Sequence, residues 1–211
     1  MDIIMNLVSF ILHIDTHLVQ LLATYGTATY AIIFGIIFIE TGLVLTPFLP
    51  GDSLLFATGA MAALGSFNIW LILPLMILAA IIGDNSNYWI GHFFGQKMIE
   101  NPKIPIQKEH IEKTQRFFEK YGKKTIILAR FVPIVRTFTP FVAGIGKMNY
   151  KTFLPFDIAG GIMWVSLFIL AGFFFGNIPS IKHNFSLVII AIVLVSVIPM
   201  VVEAVKHKLK K

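Results

Sequence analysis

Two long stretches of the chain are almost continuously apolar, over roughly 68–96 and 149–177. About 20 consecutive apolar residues are enough for a helix to cross the hydrocarbon core of a bilayer, and a longer helix spans it with some tilt. A third apolar stretch covers 184–205. The pattern therefore predicts an all-α polytopic membrane protein with an additional C-terminal transmembrane helix.

Two further apolar segments, about 28–64 and 125–147, are interrupted by proline and glycine. Two prolines within a few residues remove backbone donors and stop a continuous helix. In hydrocarbon, the released carbonyl groups have to be buried in protein or line a wet cavity. We interpret both segments as re-entrant helical hairpins that return to the side from which they enter. The predicted hairpin breaks lie at Pro47, Pro50, Gly51, Pro133 and Pro140.

An internal repeat relates the two halves of the chain. At an offset of 81 residues, segment 65–74 matches 146–155, and 91–95 matches 172–176 with no gap between the two matches. We interpret this as a duplication in which each copy combines one hairpin with one long helix. The identical positions, numbered in the first copy, are Gly65, Asn68, Leu73, Pro74, Gly91, Phe93, Phe94 and Gly95.

The repeat also predicts a topology. A hairpin crosses the membrane zero times and a long helix crosses once, so the two copies must be inverted relative to each other, as in many secondary transporters. We place repeat 1 at about 22–96, a cytoplasmic amphipathic linker at 97–124 and repeat 2 at about 118–177. The helix at 184–205 follows, and all of these belong to a single membrane domain covering 1–211.

Composition agrees with a membrane setting. Hydrophobic residues make up 56% of the 211 residues and charged residues only 13%, and the mean hydropathy is +0.81. A soluble chain usually carries about 25% charged residues. The deficit rules out a disordered protein and argues against a soluble enzyme of this size. The chain has no cysteine, so disulfides, thiol nucleophiles and thiolate metal sites are excluded.

Basic residues are concentrated in two places. Residues 1–96 contain no lysine or arginine, whereas 97–124 holds eight of the seventeen and 206–211 holds four. Because basic residues gather on the cytoplasmic side of membrane proteins, we expect 97–124 and the C-terminus to face the cytoplasm. Both clusters flank apolar spans, so contact with anionic lipid headgroups is favoured over nucleic-acid binding.

The N-terminal segment 3–22 is predicted either to span the membrane or to lie in its interface. His13 and His17 are four residues apart on one helical face. A metal needs further ligands and none is near, so no metal site is predicted. The stretch 107–121 mixes aromatic and charged residues, which is typical of an interfacial helix facing the cytoplasm.

Charged side chains at membrane depth cost about 2.5–3.5 kcal/mol each on insertion scales and therefore mark functional sites. Glu40 precedes the first hairpin break, and Asp52 follows it with Ser53 beside it. Asp52 has the alternative role of a helix N-cap. Arg130 and Arg136 lie in the second hairpin. A guanidinium group is a planar fork suited to carboxylate or phosphate, so the four charges predict either a structural set of salt bridges or an anion site.

These two interpretations are compatible. Two acids from one hairpin and two arginines from the other would meet near the midplane, where an anionic headgroup or protons on the acids would separate the pairs. Asp84 and Asp157 lie within the two long helices. Each is consistent with a proton path or with a side chain that satisfies a carbonyl of a broken helix.

The motifs around these charges resemble the bacterial DedA family, within the wider group of VTT-domain (SNARE-associated) membrane proteins. The resemblance covers nearly the whole chain. It is carried by Glu40-Thr-Gly, by Pro-Phe-Leu-Pro-Gly-Asp-Ser-Leu-Leu at 47–55, by Gly83-Asp84, and by Ala-Arg-Phe-Val-Pro-Ile-Val-Arg-Thr-Phe at 129–138 with Pro140 and Gly144.

The resemblance implies a bacterial inner-membrane protein with two opposed re-entrant hairpins that moves lipids between leaflets. Some family members are similar to undecaprenyl-phosphate translocases, and others to phosphatidylethanolamine flippases or scramblases. The resemblance also implies that Glu40, Asp52, Arg130 and Arg136 are essential and that the acids are coupled to the proton-motive force.

The leading hypothesis is a transporter, not an enzyme: a flippase for an anionic lipid, with undecaprenyl phosphate as the expected substrate. The alternatives are a phosphatidylethanolamine flippase or scramblase, a proton-coupled exporter of small cations, and a non-transport membrane scaffold. Membrane lipids and protons are the expected partners, no cofactor is expected, and a homo-oligomer is left open. The assigned residues are Arg130, Arg136, Glu40, Asp52, Ser53 and Thr137 for substrate binding, and Glu40, Asp52 and Asp84 for proton coupling.

Overall fold

A computed structural model of the chain describes residues 14–43, 51–100, 108–176 and 178. Within these ranges the secondary structure is helical, without strands. This confirms the predicted all-α class. The helices are α1 (Ile14–Tyr25), α2 (Ala28–Gly42), α3 (Gly51–Ala63), α4 (Ile69–Glu100), α5 (Lys108–Tyr121), α6 (Thr125–Leu128), α7 (Pro133–Ile145) and α8 (Tyr150–Phe175), with short 3-10 turns at Gly122–Lys124 and Ala129–Phe131.

Two of these helices, α4 and α8, are long and apolar enough to cross a bilayer. They correspond to the long helices predicted at 68–96 and 149–177. Helix α4 continues to Glu100, beyond the expected end, and carries Lys97 in its last turn. Because cations are favourable near a helix C-terminus, a lysine does not have to end the helix there. Helix α8 ends at Phe175.

The break in the second predicted hairpin lies between α6 and α7. Val132 has an extended backbone (φ −123°, ψ 103°), and Pro133 begins α7 at a position where a missing N–H costs nothing. Pro140 lies inside α7, so the predicted break at Pro140 is wrong. A helix can continue through a proline when tertiary packing compensates for the one lost bond, here to the carbonyl of Arg136.

Several predictions fall outside the described residues. These concern the breaks at Pro47 and Pro50, the histidine at position 13 and the C-terminal helix at 184–205. Gly51 is the first residue of α3. The predicted interfacial helix at 107–121 corresponds to α5, which packs its buried Ile111 and Thr114 side toward α7.

The described residues form two compact units. The first unit comprises 14–35, 51–76 and 165–176. Its core is built largely from α3, where eleven of thirteen residues are buried, together with Ile72 and Met76 of α4 and Ile169 of α8. A helix that is buried nearly all round is typical of the centre of a membrane protein bundle.

The second unit comprises 36–43, 77–100 and 108–164. It contains the end of α2, most of α4, all of α5 to α7 and the first half of α8. Its core includes the stacked rings of Tyr88 and Phe153, whose centroids are 4.6 Å apart. Tyr88 donates from its hydroxyl to the carbonyl oxygen of Met148. The polar residues described next all lie in this unit.

Glycines allow the closest helix contacts in both units. In the second unit, Gly91 of α4 lies against the backbone of Phe141 in α7, and a methyl group there would overlap the Phe141 carbonyl oxygen. In the first unit, Gly172 of α8 lies in the same way against the carbonyl oxygen of Phe56 in α3. Gly91 and Gly172 are equivalent positions of the internal repeat. Small residues are the usual means by which membrane helices approach each other closely.

Candidate functional site

Glu40 and Arg136 form a buried ion pair in the second unit. Glu40 lies near the end of α2, and Arg136 lies in the first turn of α7 with its backbone N–H donating to the carbonyl of Val132. Arg136 Nη2 is 2.6 Å from Glu40 Oε1, and the two side chains are 11% and 2% exposed. The Arg136 guanidinium also lies over the indole ring of the buried Trp164, 4.7 Å from its centroid. Trp164 therefore fixes the plane of the guanidinium by a cation–π contact.

Asn87 of α4 holds this ion pair in place. Its side-chain nitrogen donates to the carbonyl oxygens of Thr41 and Thr137, at 3.2 and 3.0 Å. These residues directly follow Glu40 and Arg136 in the sequence, so one fully buried amide connects the two backbones that carry the ion pair. Gly83 allows this approach, because a Cβ at that position would overlap the hydroxyl of Thr41.

Arg130 forms a second buried cluster with two aspartates. It lies in the 3-10 turn before α7, while Asp84 is in the middle of α4 and Asp157 is in the second turn of α8. Arg130 Nη2 donates to Asp84 Oδ2 and, at 2.6 Å, to Asp157 Oδ1. The three side chains are between 1% and 7% exposed. Two carboxyl groups thus converge on one nitrogen of one buried guanidinium.

The rest of the Arg130 guanidinium is enclosed but not fully used. Its Nε and Nη1 are buried and have no hydrogen-bond partner among the described residues. Gly160 provides the space for the side chain, since a Cβ there would lie 2.8 Å from Arg130 Nε and 3.0 Å from its Cδ. A buried charged donor without a partner is costly. Arg130 Nε and Nη1 therefore retain unused hydrogen-bonding capacity.

Asp157 is held from its other side by a chain of hydrogen bonds. Asn85 donates to Asp157 Oδ2 at 3.1 Å and to the carbonyl of Ile81 at 2.7 Å. The hydroxyl of Tyr150 donates to Asn85 Oδ1 at 2.5 Å. Asn85 and Tyr150 are half-buried, so this series of hydrogen bonds connects the margin of the unit to the buried carboxyl group of Asp157. These contacts fix the orientation of Asp157 before any ligand binds.

The residues assigned from the sequence fall in both units. Glu40, Asp84, Arg130, Arg136 and the buried Thr137 lie in the second unit. Asp52 and Ser53 lie in the first unit, in the first turn of α3, where Ser53 is buried and Asp52 is half-buried. The ion pair between Glu40 and Arg136 is of the kind expected between the two hairpins. The functional roles assigned to these residues remain predictions.

Three residues that contact the buried arginines or their neighbours are not among the site residues assigned from the sequence. The sequence is consistent with two roles for Asp157, because a carboxyl group in an apolar helix indicates a buried partner without identifying it. Asn87 and Trp164 are also part of the network, yet an amide and an indole in a membrane helix have many ordinary roles. The usable signal was the polar run of 84–87 in an otherwise apolar helix; its four-residue length spans one helical turn and can reach several neighbours.

Comparison with known proteins identifies the class. A family model described as the VTT domain matches residues 49–174, which is more than half of the chain. With its apolar spans and its buried ionic network, the chain belongs to the VTT-domain membrane proteins, and within them to the DedA family. It is 54% identical to "Protein DedA" of Escherichia coli strain K12 over 211 residues, covering 99% of this chain and 96% of that protein. The resemblance inferred from the motifs is confirmed.

More distant relatives are also named as membrane proteins. The chain is 46% identical over 183 residues to an uncharacterized membrane protein of Mycobacterium tuberculosis strain H37Rv, covering 85% of this chain and 80% of that protein. It is 30% identical over 151 residues to "Inner membrane protein YqjA" of Escherichia coli strain K12, covering 71% and 69%. No solved structure matches the chain.

Proposed function

We propose that the protein translocates an anionic lipid between the leaflets of a bacterial inner membrane, with undecaprenyl phosphate as the substrate. The observation that carries this proposal is Arg130, a buried guanidinium whose Nε and Nη1 have no partner among the described residues. Arg136 lies in the same unit, where its Nη2 binds Glu40 Oε1. Charged N–H donors form strong hydrogen bonds with phosphate oxygens, so both residues suit a phosphate headgroup.

The division between a polar network and apolar helices supports a lipid over a soluble anion. Helices α4 and α8 expose large apolar side chains such as Leu78, Phe93 and Leu167, which suit contact with lipid tails. The prenyl chain would remain in the bilayer while only the phosphate passes the arginines. Glu40 and Asp52 would then exchange protons and return to the arginines once the headgroup has left.

We further propose that the two hairpins are re-entrant and enter from opposite faces, with the segment 97–124 and the C-terminus in the cytoplasm. The equivalent contacts of Gly91 and Gly172 support the duplication on which this topology depends. The basic clusters at 97–124 and 206–211 support the orientation. The E. coli relative named as an inner membrane protein supports the location.

The proposal is tested with purified full-length protein in liposomes that contain a labelled polyprenyl phosphate in one leaflet. We expect the wild type to move the lipid, and Arg130→Ala and Arg136→Ala each to abolish this movement. Arg116→Ala is the matched control, because Arg116 is an exposed arginine of α5 and its variant is expected to transport normally. Transport by both Arg130→Ala and Arg136→Ala at the wild-type rate would disprove the mechanism.

The same assay, together with thermal-shift and complementation measurements, separates the alternative functions. Movement of labelled phosphatidylethanolamine but not of the polyprenyl phosphate would indicate a different lipid substrate. A thermal shift with a cationic compound and none with a polyprenyl phosphate would favour a cation exporter. No movement of any lipid, together with complementation of a deletion strain by Glu40→Gln and Arg136→Lys, would favour a scaffold, since a scaffold needs neither proton exchange nor a bidentate fork.

A further inference from the structure

The charges of the second unit do not balance if all of its buried groups are ionised. Among its described residues, the buried carboxyl groups are those of Glu40, Asp84 and Asp157, and the guanidiniums that face them are those of Arg130 and Arg136. Three negative charges against two positive charges leave one negative charge in a site shielded from water. An uncompensated charge of this kind is strongly unfavourable in a low-dielectric interior, and binding of one proton removes it.

The contacts indicate where that proton lies. Glu40 is bound to Arg136, whose Nη2 lies 2.6 Å from Glu40 Oε1. Asp84 and Asp157, by contrast, both accept from a single nitrogen of Arg130, so their carboxyl groups lie side by side. Two ionised carboxylates would repel each other at such a separation, whereas a carboxyl group and a carboxylate attract by a short hydrogen bond.

Among the residues that the structure describes, no positive charge other than those of the two arginines faces the pair. Arg130 Nη2 binds both aspartates, and Arg136 is paired with Glu40. The neighbours on α4 and α8 are Asn85, which donates to Asp157, and Tyr150, which donates to Asn85. Neither side chain carries a positive charge, so Asn85 and Tyr150 orient the Asp157 carboxyl group without balancing the charge of the pair.

We propose that Asp84 and Asp157 share one proton, and that this protonated pair is the state in which Arg130 presents the N–H groups of Nε and Nη1 to the oxygens of an anion. In that state the pair carries one negative charge against the one positive charge of Arg130. Loss of the proton to water gives two carboxylates beside one guanidinium, and the excess negative charge repels an anion. Protonation and anion binding therefore favour each other, as linkage requires.

The first test observes the proton directly and does not depend on transport. Infrared spectra of the wild-type protein in liposomes at neutral pH are expected to contain the carbonyl band of a protonated carboxylic acid. That band should shift in heavy water and on 13C labelling of aspartate, but not on labelling of glutamate. Absence of the band, or a band that follows the glutamate label, would overturn the proposal, and neither result requires a variant to fold.

Variants then assign the proton to the pair. We expect Asp84→Asn and Asp157→Asn each to remove the band, because the remaining carboxylate is ionised by Arg130 alone. Glu112→Gln is the matched control, since Glu112 is an exposed acid of α5, and should keep the band. Persistence of the band in either aspartate variant would show that the two groups do not share a proton.

The second test concerns the coupling to anion binding and rests on the proposed function. With a short-chain polyprenyl phosphate as the probe, the affinity of the wild type is expected to fall by at least tenfold as the pH rises from neutral to alkaline. Asp157→Asn mimics the protonated pair and should lose this decrease, while Glu112→Gln should keep it. Equal pH dependence in wild type and Asp157→Asn would refute the coupling. A wild type that binds no probe at any pH would refute the proposed function, and the infrared result would still decide whether the proton is shared.

Discussion

Arg136 and Glu40 are 96 positions apart in the sequence, yet Arg136 Nη2 lies 2.6 Å from Glu40 Oε1. The contact joins the end of α2 to the first turn of α7. The carboxylate lies at one edge of the guanidinium and the face of Trp164 covers its plane. The arginine is thus held by two different kinds of interaction, an ion pair and a cation–π contact.

Breaking the ion pair from one side should cost more than removing both partners. Glu40→Gln takes the Glu40 carboxylate away from the Arg136 guanidinium, and Arg136→Met takes the guanidinium away from a buried carboxylate, so each single change is expected to lower the free energy of unfolding by about 3–5 kcal/mol. The double variant should lose less than the sum of the two. A double-mutant cycle of unfolding in mixed detergent micelles measures this coupling.

A control for this cycle lies on α5. Arg116 and Glu112 are both exposed and four residues apart on one helix, and a cycle of Arg116→Met and Glu112→Gln should give a coupling of about 0.5 kcal/mol or less. If the buried pair couples no more strongly than this exposed pair, then Glu40 and Arg136 do not depend on each other in the folded protein.

The stacking of Arg136 on Trp164 gives a second prediction. Trp164→Leu removes the aromatic face and leaves unfilled volume at a fully buried position, so we expect the protein to lose about 2 kcal/mol or more of stability. The matched control is Trp70→Leu, because Trp70 is 86% exposed and should change stability by about 0.5 kcal/mol or less. The measurement is the thermal unfolding of the two variants under the same conditions. Equal destabilisation of both would argue against a specific role of Trp164.

Asn87 should matter more than its neutral side chain suggests. Asn87→Ala removes the donor shared by the carbonyls of Thr41 and Thr137, and we expect a loss of about 1–3 kcal/mol. Asn87→Asp should be worse, since it sets a buried carboxylate against two carbonyl oxygens. The neighbouring Ser86→Ala is the control, because the Ser86 hydroxyl makes only a local and exposed bond to the carbonyl of Ile82.

The outcome of the Asn87 comparison can be measured on transport as well as on stability. If Asn87 positions the backbones beside Glu40 and Arg136, Asn87→Ala should slow lipid movement at temperatures where the protein remains folded. Ser86→Ala should leave the rate unchanged. Comparable rates for the two variants would mean that the bridge contributes to stability alone.

The sequence predicts the helices well because their signals are local. A run of apolar residues long enough to span a bilayer defines α4 and α8, and proline defines the start of α7. The sequence predicts that this helix ends at about residue 96, whereas α4 ends at Glu100, because Lys97 continues the helix as a favourable C-terminal cation. The sequence predicts a break at Pro140, but α7 continues through this proline. The packing that stabilises the helix there comes from residues distant in the sequence.

The sequence singles out the charged residues of the buried clusters but does not show which of them pair. Arg130, Arg136, Glu40 and Asp84 stand out because charge is rare at membrane depth, and this signal depends on one residue at a time. The partners of Arg130 depend on the distance between α4 and α8, which no local pattern encodes. Asp157 therefore becomes recognisable as the second acid at Arg130 only when the helices are placed in space.

The equivalent glycines of the repeat give the last prediction. Gly91→Ala would push α4 away from the Phe141 carbonyl, and Gly172→Ala would push α8 away from the Phe56 carbonyl. Because each methyl group would meet backbone and not a movable side chain, each variant should lose about 1–3 kcal/mol of stability. Gly35→Ala is the control: Gly35 also lies inside a helix but has nothing within 4 Å of an added Cβ. It should be neutral or slightly stabilising, because alanine is the better helix former. Equal unfolding temperatures for all three variants would show that the glycine contacts do not determine how closely these helices pack. Loss of stability in Gly91→Ala and Gly172→Ala but not in Gly35→Ala would show that the two halves of the chain depend on the same kind of contact.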